Sequence, residues 1–250
     1  MAFVDVNDAS VLYPIYTARS RSVKNHLLRS VGGGIGIRDD ARVVISALHN
    51  ISLSLTAGDK IALIGANGAG KSTLLKVLAG ILEPSSGEVR ISGRISALLD
   101  MSMGMDPEAT GYENIIMRSV VLGATFAEAR TRVPEIEAFS ELGQYLQFPM
   151  RTYSTGMSLR LSFAIATYAQ PEILVLDEMI ATGDEAFSVK AKARLENIVS
   201  RLKILVLATH DLNTARSLCN RGIVLNHGRI VLDKDIGAAI AAYRSIVAEG

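Results

Sequence analysis

Eight consecutive residues, Gly65-Ala66-Asn67-Gly68-Ala69-Gly70-Lys71-Ser72, have the types and spacing to hold a polyphosphate. Glycines let the backbone curl until successive N–H groups point inward at an anion. Lys71 adds a point charge for β- and γ-phosphates, and the Ser72 hydroxyl is placed to ligate Mg²⁺, with Thr73 beside it. With average residue usage, a chance match in a chain this long arises on the order of one time in a hundred. Its flanks fit as well. Ile61-Ala62-Leu63-Ile64 reads as a buried strand feeding the loop, and Ser72 to Ala79 as a helix aiming its positive end at the phosphates. Gly65, Asn67, Gly68, Ala69, Gly70, Lys71, Ser72 and Thr73 are therefore the candidate set for a nucleoside triphosphate.

A second constellation supplies acid and base. Leu174-Val175-Leu176-Asp177-Glu178 is an apolar strand ending in two carboxylates. In sheets of this kind strand ends face the nucleotide, so Asp177 is placed to hold Mg²⁺ directly or through water. Glu178 is then the candidate general base that polarises the attacking water. Another strand ends at Thr209-His210-Asp211, where His210 could contact the γ-phosphate and that water. Alone, either feature would be an ordinary strand end; the phosphate loop gives them chemistry.

The elements that must position these groups alternate between strand and helix. Ile51, Leu53 and Leu55 alternate with Ser52, Ser54 and Thr56, the period of a strand with one wet face. Ile173–Leu176 and Ile204–Ala208 are continuous apolar runs of the sort buried on both faces of a parallel sheet. Leu195, Ile198, Val199 and Leu202 share a helical stripe between them. Asn226-His227-Gly228-Arg229 between two apolar runs predicts a hairpin. Thr110 and Glu113 predict a capping box within a helical middle region, roughly residues 100 to 170. Ala238 to Tyr243 reads as a packed closing helix. At 250 residues with net charge +1, the chain can bury a large core and carries no global field that advertises nucleic acid. Its single cysteine excludes an internal disulfide and reads as a small buried apolar residue. No signal peptide and no apolar run of membrane-spanning length is visible. A mean hydropathy of +0.28 with 5% aromatics points to an aliphatic core and a surface covered by a partner.

Taken together, these motifs resemble the nucleotide-binding subunits of ABC transporters over nearly the whole chain. That resemblance implies an α/β fold, a P-loop NTPase core of ABC type with an antiparallel β subdomain and a helical signature subdomain at about 100–168. It also implies ATP as nucleotide. The family's signature loop, usually L-S-G-G-Q, stands as Tyr153-Ser154-Thr155-Gly156-Met157; Ser154 and Gly156 match the positions that meet the γ-phosphate across a dimer, and Tyr153, Thr155 and Met157 depart. A helix read from Ser158 to Ala169 would aim its dipole there. Asp184 resembles the loop where two subunits touch. Tyr13 resembles the aromatic that stacks on adenine, with Tyr16 as the alternative. Asp100 occupies the place of the family's usual glutamine, so the resemblance puts it with the nucleotide and Mg²⁺ ligands.

Within the family, Thr110-Gly111-Tyr112-Glu113-Asn114, the acid at 100, Tyr13-Pro14-Ile15-Tyr16, Phe139 to Gly143, Phe148-Pro149 and the signature resemble ATPases that export surface polysaccharides. The implied assembly is a head-to-tail homodimer with two composite ATP sites, peripheral on the cytoplasmic face of the bacterial inner membrane. It would bind an integral membrane subunit and serve lipid-linked O-antigen, capsule or teichoic-acid chains. The chain ends too soon after residue 243 to hold a C-terminal carbohydrate-binding domain. An extra basic, amphipathic segment at about 17–43 either meets the membrane surface or the lipid-linked substrate at the entrance, or packs on its own domain with a solvated basic face. Alternatives are a drug, lipid or lipoprotein exporter, a soluble ABC ATPase, and a non-catalytic nucleotide-binding regulator. The soluble class usually brings two cassettes or a long coiled-coil insertion.

Overall fold

The structure, a computed structural model, describes residues 1–15, 35–37, 43–99, 104–168, 171–177 and 185–248. The chain forms two compact units: Met1–Ile95, Ile173–Glu178 and Lys203–Gly250 in the first, Ser96–Glu172 and Met179–Leu202 in the second. The first opens with β1 (Phe3–Ile15), β2 (Ile35–Ile37), β3 (Val43–Thr56), β4 (Lys60–Ile64), α1 (Lys71–Leu78) and β5 (Ser86–Ser92). Strand β6 (Ile95–Leu98) carries the chain onward to α2 (Gly111–Val121), α3 (Phe126–Ser140), two 3₁₀ turns and α4 (Thr155–Tyr168). β7 (Ile173–Asp177) belongs to the first unit and α5 (Glu185–Arg201) to the second. β8 (Ile204–Ala208), α6 (Leu212–Leu218), β9 (Arg221–Asn226), β10 (Arg229–Asp235) and α7 (Ile236–Ala248) complete the first.

In the first unit, β2-β3-β1-β5 form an antiparallel sheet, with Phe3 opposite Thr56 and Val4 opposite Leu55. The predicted alternation holds: Ile51, Leu53 and Leu55 are buried while Ser52, Ser54 and Thr56 are exposed. β3 nevertheless starts eight residues before Ile51, because Asn50 (φ 47°) and Asp8 (φ 48°) interrupt the pleat and the β1–β3 register shifts around Ala9. The second sheet places β10-β9-β4-β8-β7 side by side, β4 parallel to both β8 and β9, and β8 parallel to β7. All five residues of β8 are buried, as a strand covered on both faces requires. The β9–β10 turn puts His227 (φ 45°) and Gly228 (φ 73°) between paired Asn226 and Arg229, a two-residue turn with both central residues left-handed. Cys219 is 6% exposed just past α6, and burial pushes its thiol up to about 12.

The second unit is helical. Phe139 of α3, Phe163 of α4 and Phe187 of α5 meet with ring centroids 5.6–6.1 Å apart. Lys190 (4.8 Å) and Arg194 (4.4 Å) cover the Phe139 ring, and Lys190 Nζ also bonds Glu141 at 2.6 Å. This cluster assigns α5 to the same body as the signature helix α4. Among the described residues no helix is long and apolar enough to cross a membrane.

Candidate functional site

The phosphate loop is shaped by backbone conformations that only glycine adopts cheaply. Gly68 has φ 79° and Gly70 φ 103°. Gly65 is excluded from any other residue by packing: a Cβ there would lie 2.5 Å from the Leu225 carbonyl oxygen, backbone against backbone. At Gly70 it would meet the Ala47 carbonyl oxygen at 2.8 Å. α1 then begins at Lys71 with no side-chain cap at Gly70, and a helix N-terminus is the end that favours an anion. Leu74, Leu75, Val77 and Leu78 bury the helix against β7 and β8. Ala66, Asn67, Gly68 and Ser72 face solvent.

Lys71 Nζ folds onto its own loop, 2.6 Å from the Gly65 carbonyl oxygen and 3.0 Å from that of Ala66. Ser72 Oγ donates to Asp177 Oδ2 at 2.9 Å. Two residues from different elements, singled out separately for Mg²⁺, are thus within one hydrogen bond of each other. The donors are a hydroxyl and a carboxylate at an exposed rim, which suits a hard, oxygen-seeking cation completed by phosphate and water.

Behind the loop runs a strap that the sequence did not reveal. The His49 amide donates to the Gly228 carbonyl at 2.8 Å, and the Gly228 amide donates to the Ala69 carbonyl at 2.9 Å. Burial, aided by Arg229, lowers the His49 pKa, and Ser46 Oγ lies 3.1 Å from its Nδ1. The hairpin signal at 226–229 was readable; its contact with the loop was not, because the partners come from β3 and from the turn between β9 and β10.

β8 ends at Ala208, earlier than the reading that ran to Asp211. Thr209 is buried, His210 is exposed, and Asp211 caps α6. Its carboxylate takes a 2.6 Å bond from Thr214 Oγ1 and a 2.9 Å bond from the Asn213 amide, which hold its pKa below the usual range. The cap fixes the turn on which His210 sits. Tyr13 lies in β1 opposite Ile45, 39% exposed.

In the second unit α4 begins at Thr155 rather than at the expected Ser158. Ser154 Oγ accepts from the Met157 amide at 3.2 Å and so acts as N-cap, drawing Gly156 into the first helical turn. A Cβ on Gly156 would meet only Ser154 Oγ, at 3.9 Å. Among the described residues, nothing demands a glycine there. Glu178, Asp100, Asp184 and Tyr16, and most of the 17–43 segment, lie outside the described residues.

Comparison with known proteins decides the family. A model described as ABC transporter matches residues 48–181, more than half of the chain, from β3 through the acidic end of β7. The chain belongs to the ABC transporter family. Membership brings nucleotide binding and ATP hydrolysis with it. The chain is 48% identical over 224 residues to the O-antigen export system ATP-binding protein RfbE of Yersinia enterocolitica, covering 89% of this chain and 94% of that one. It is 43% identical over 224 residues to RfbB, the O-antigen export system ATP-binding protein of Myxococcus xanthus, covering 90% of this chain but 51% of that one. It spans only about half of that longer relative. In fold it matches a dimeric ATP-binding cassette in a post-hydrolysis state bound to ADP and Pi, with a TM-score of 0.69 at 21% identity over 93% of this chain and 98% of that one.

Proposed function

We propose that the chain is the ATP-hydrolysing subunit of an exporter that drives a lipid-linked surface polysaccharide across the bacterial inner membrane. The observation that carries the catalytic reading is the 2.9 Å bond between Ser72 and Asp177, which joins the phosphate loop to the acidic strand end. The polysaccharide reading is supported by 48% identity to an O-antigen export protein across nearly that protein's full length.

In this reading Gly65, Asn67, Gly68, Ala69, Gly70 and Thr73 wrap the phosphates, and Tyr13 lies against the adenine. Lys71 swings from the Gly65 and Ala66 carbonyls to the β- and γ-phosphates. Ser72, Asp177 and Asp100 hold Mg²⁺, which when bound neutralises charge on the phosphate oxygens. Glu178 takes a proton from the attacking water, and His210, on its capped turn, orients that water and the γ-phosphate. Ser154 and Gly156 of a second copy close the site from outside, so that two chains head to tail hold two nucleotides. The open space at the Gly156 Cβ position supports an approach by a group from another molecule. Cleavage breaks the bond to the γ-phosphoryl group and with it the contacts that join the copies.

A groove of about 390 Å³ lined by Asp106, Glu108, Ala109, Glu113, Ile116 and Met117 lies on the second unit, where a membrane subunit would receive the movement. The protein then sits on the cytoplasmic face of the membrane, held by that partner. Under this reading the 250 residues form one ATP-binding domain with its helical part at about 100–168.

The test uses Glu178→Gln. Turnover should fall about a thousandfold, and ATP should trap a dimer by size exclusion. The same protein, tagged and recovered from detergent-solubilised membranes with ATP, should bring down a multi-spanning subunit and a glycan-lipid. Wild-type turnover would overturn the base; recovery of soluble partners alone would overturn the exporter.

A further inference from the structure

Tyr153 departs from the family's usual leucine, and the Thr110-Gly111-Tyr112-Glu113-Asn114 motif has no role in the chemistry above. The structure joins the two. Asn114 is fully buried and uses its whole amide: Nδ2 donates to the carbonyls of Asp106 (2.9 Å), Ala109 (3.2 Å) and Thr110 (3.0 Å), and Oδ1 accepts from the Asp106 amide (2.8 Å). The loop 106–110 is thereby stapled to α2. Thr110 and Glu113 complete a reciprocal capping box at the same point.

The far side of this loop pairs with the segment leading into the signature. The Met150 amide donates to Ala109 at 3.0 Å, the Arg151 amide to Pro107 at 2.9 Å, and the Gly111 amide to Phe148 at 3.3 Å. Arg151 Nε adds a 3.1 Å bond to Glu108. Tyr153 closes the assembly. Its hydroxyl donates to the Tyr145 carbonyl at 2.8 Å and lies against the Gly111 backbone. A Cβ on Gly111 would collide with that hydroxyl oxygen and come within 2.7 Å of Leu146 Cδ2. A leucine fills space but neither donates nor accepts.

We propose that Tyr153 is a positioning residue: its hydroxyl, clasped between Gly111 and Tyr145, locks the signature loop to the Asn114-stapled loop 106–110, so that Ser154 is presented at a fixed place. The proposal rests on the reading in which Ser154 caps nucleotide held by a second copy. Tyr153 touches no reacting atom itself.

The experiment compares full-length wild type, Tyr153→Phe, Tyr153→Leu, Gly111→Ala, the Gly111→Ala/Tyr153→Phe double variant and Ser154→Ala. For each, the affinity for a fluorescent ATP analogue, kcat per binding site, and the ATP-trapped dimer fraction in a Glu178→Gln background are measured. Tyr153→Phe should keep its nucleotide affinity within about twofold while kcat falls about tenfold and the trapped dimer is depleted. Tyr153→Leu should behave alike. Because Gly111→Ala and Tyr153→Phe break the same clasp, their kcat losses should not multiply. Wild-type kcat in both Tyr153 variants, with Ser154→Ala inactive, overturns the proposal and leaves the composite site standing. Multiplying losses, or nucleotide affinity falling in step with kcat, also overturn it. A fully active Ser154→Ala would sink the composite-site reading, and this proposal with it.

Discussion

The phosphate loop and the signature loop are built by opposite means. The first hangs from buried strands: four of the five β4 residues and all of β8 are buried, and the loop's shape lies in the dihedral angles of Gly68 and Gly70. The second hangs from side chains. Asn114, Arg151 and Tyr153 hold it through hydrogen bonds, and the body beneath it is joined by a phenylalanine cluster capped with cations. The first takes its shape from strands and glycine dihedral angles; the second has a position set by a few replaceable groups, which on the reading proposed above suits a part that meets its ligand in an assembly.

Mutations should separate the two. Lys71→Ala should weaken ATP binding on the order of a hundredfold, the scale of losing a charged hydrogen-bonding group, as read by fluorescent-nucleotide titration. The paired glycines make the sharper contrast. Gly65→Ala drives a Cβ against the Leu225 carbonyl and should cost about 2–3 kcal/mol of stability, seen in urea unfolding. Gly156→Ala has room in a helical turn and should leave stability unchanged or raise it by about 0.5 kcal/mol, yet abolish turnover; an active Gly156→Ala enzyme would break the comparison. Asn114→Ala strips partners from a buried loop and should cost about 2 kcal/mol, with nucleotide affinity intact.

The smallest effect concerns pH. The hydrogen bond from Lys190 depresses the Glu141 pKa below its ordinary 4.5. A depressed carboxylate stabilises the fold above the ordinary value and loses that contribution as pH falls through its folded pKa. Lys190→Met should therefore flatten the acid side of the stability curve at pH below about 4.5. The change should stay within about 1 kcal/mol, because the pair is solvent-screened.

What could be read from the sequence follows the same division. The phosphate loop, the β7 and β8 runs and the Thr110–Glu113 box were legible because local spacing encodes their geometry. The early start of β3 was hidden by the bulge at Asn50, which breaks the alternation that periodicity depends on. The start of α4 was missed because Gly156 reads as loop until Ser154 is seen to cap it. Tyr153 could be marked as a departure from its family but not explained, since what it meets, the Tyr145 carbonyl and the Gly111 backbone, is brought there only by the fold.

The burial of Cys219 has a practical consequence. Burial, which pushes the thiol up to about 12, leaves very little thiolate at neutral pH and keeps reagents from the sulfur. As it is the sole cysteine, the native chain is nearly silent to maleimides and nitroxide reagents. One cysteine introduced at an exposed position such as Ser217 would carry almost all the label, so distances between two copies could be followed through a turnover cycle without first stripping the protein of native thiols.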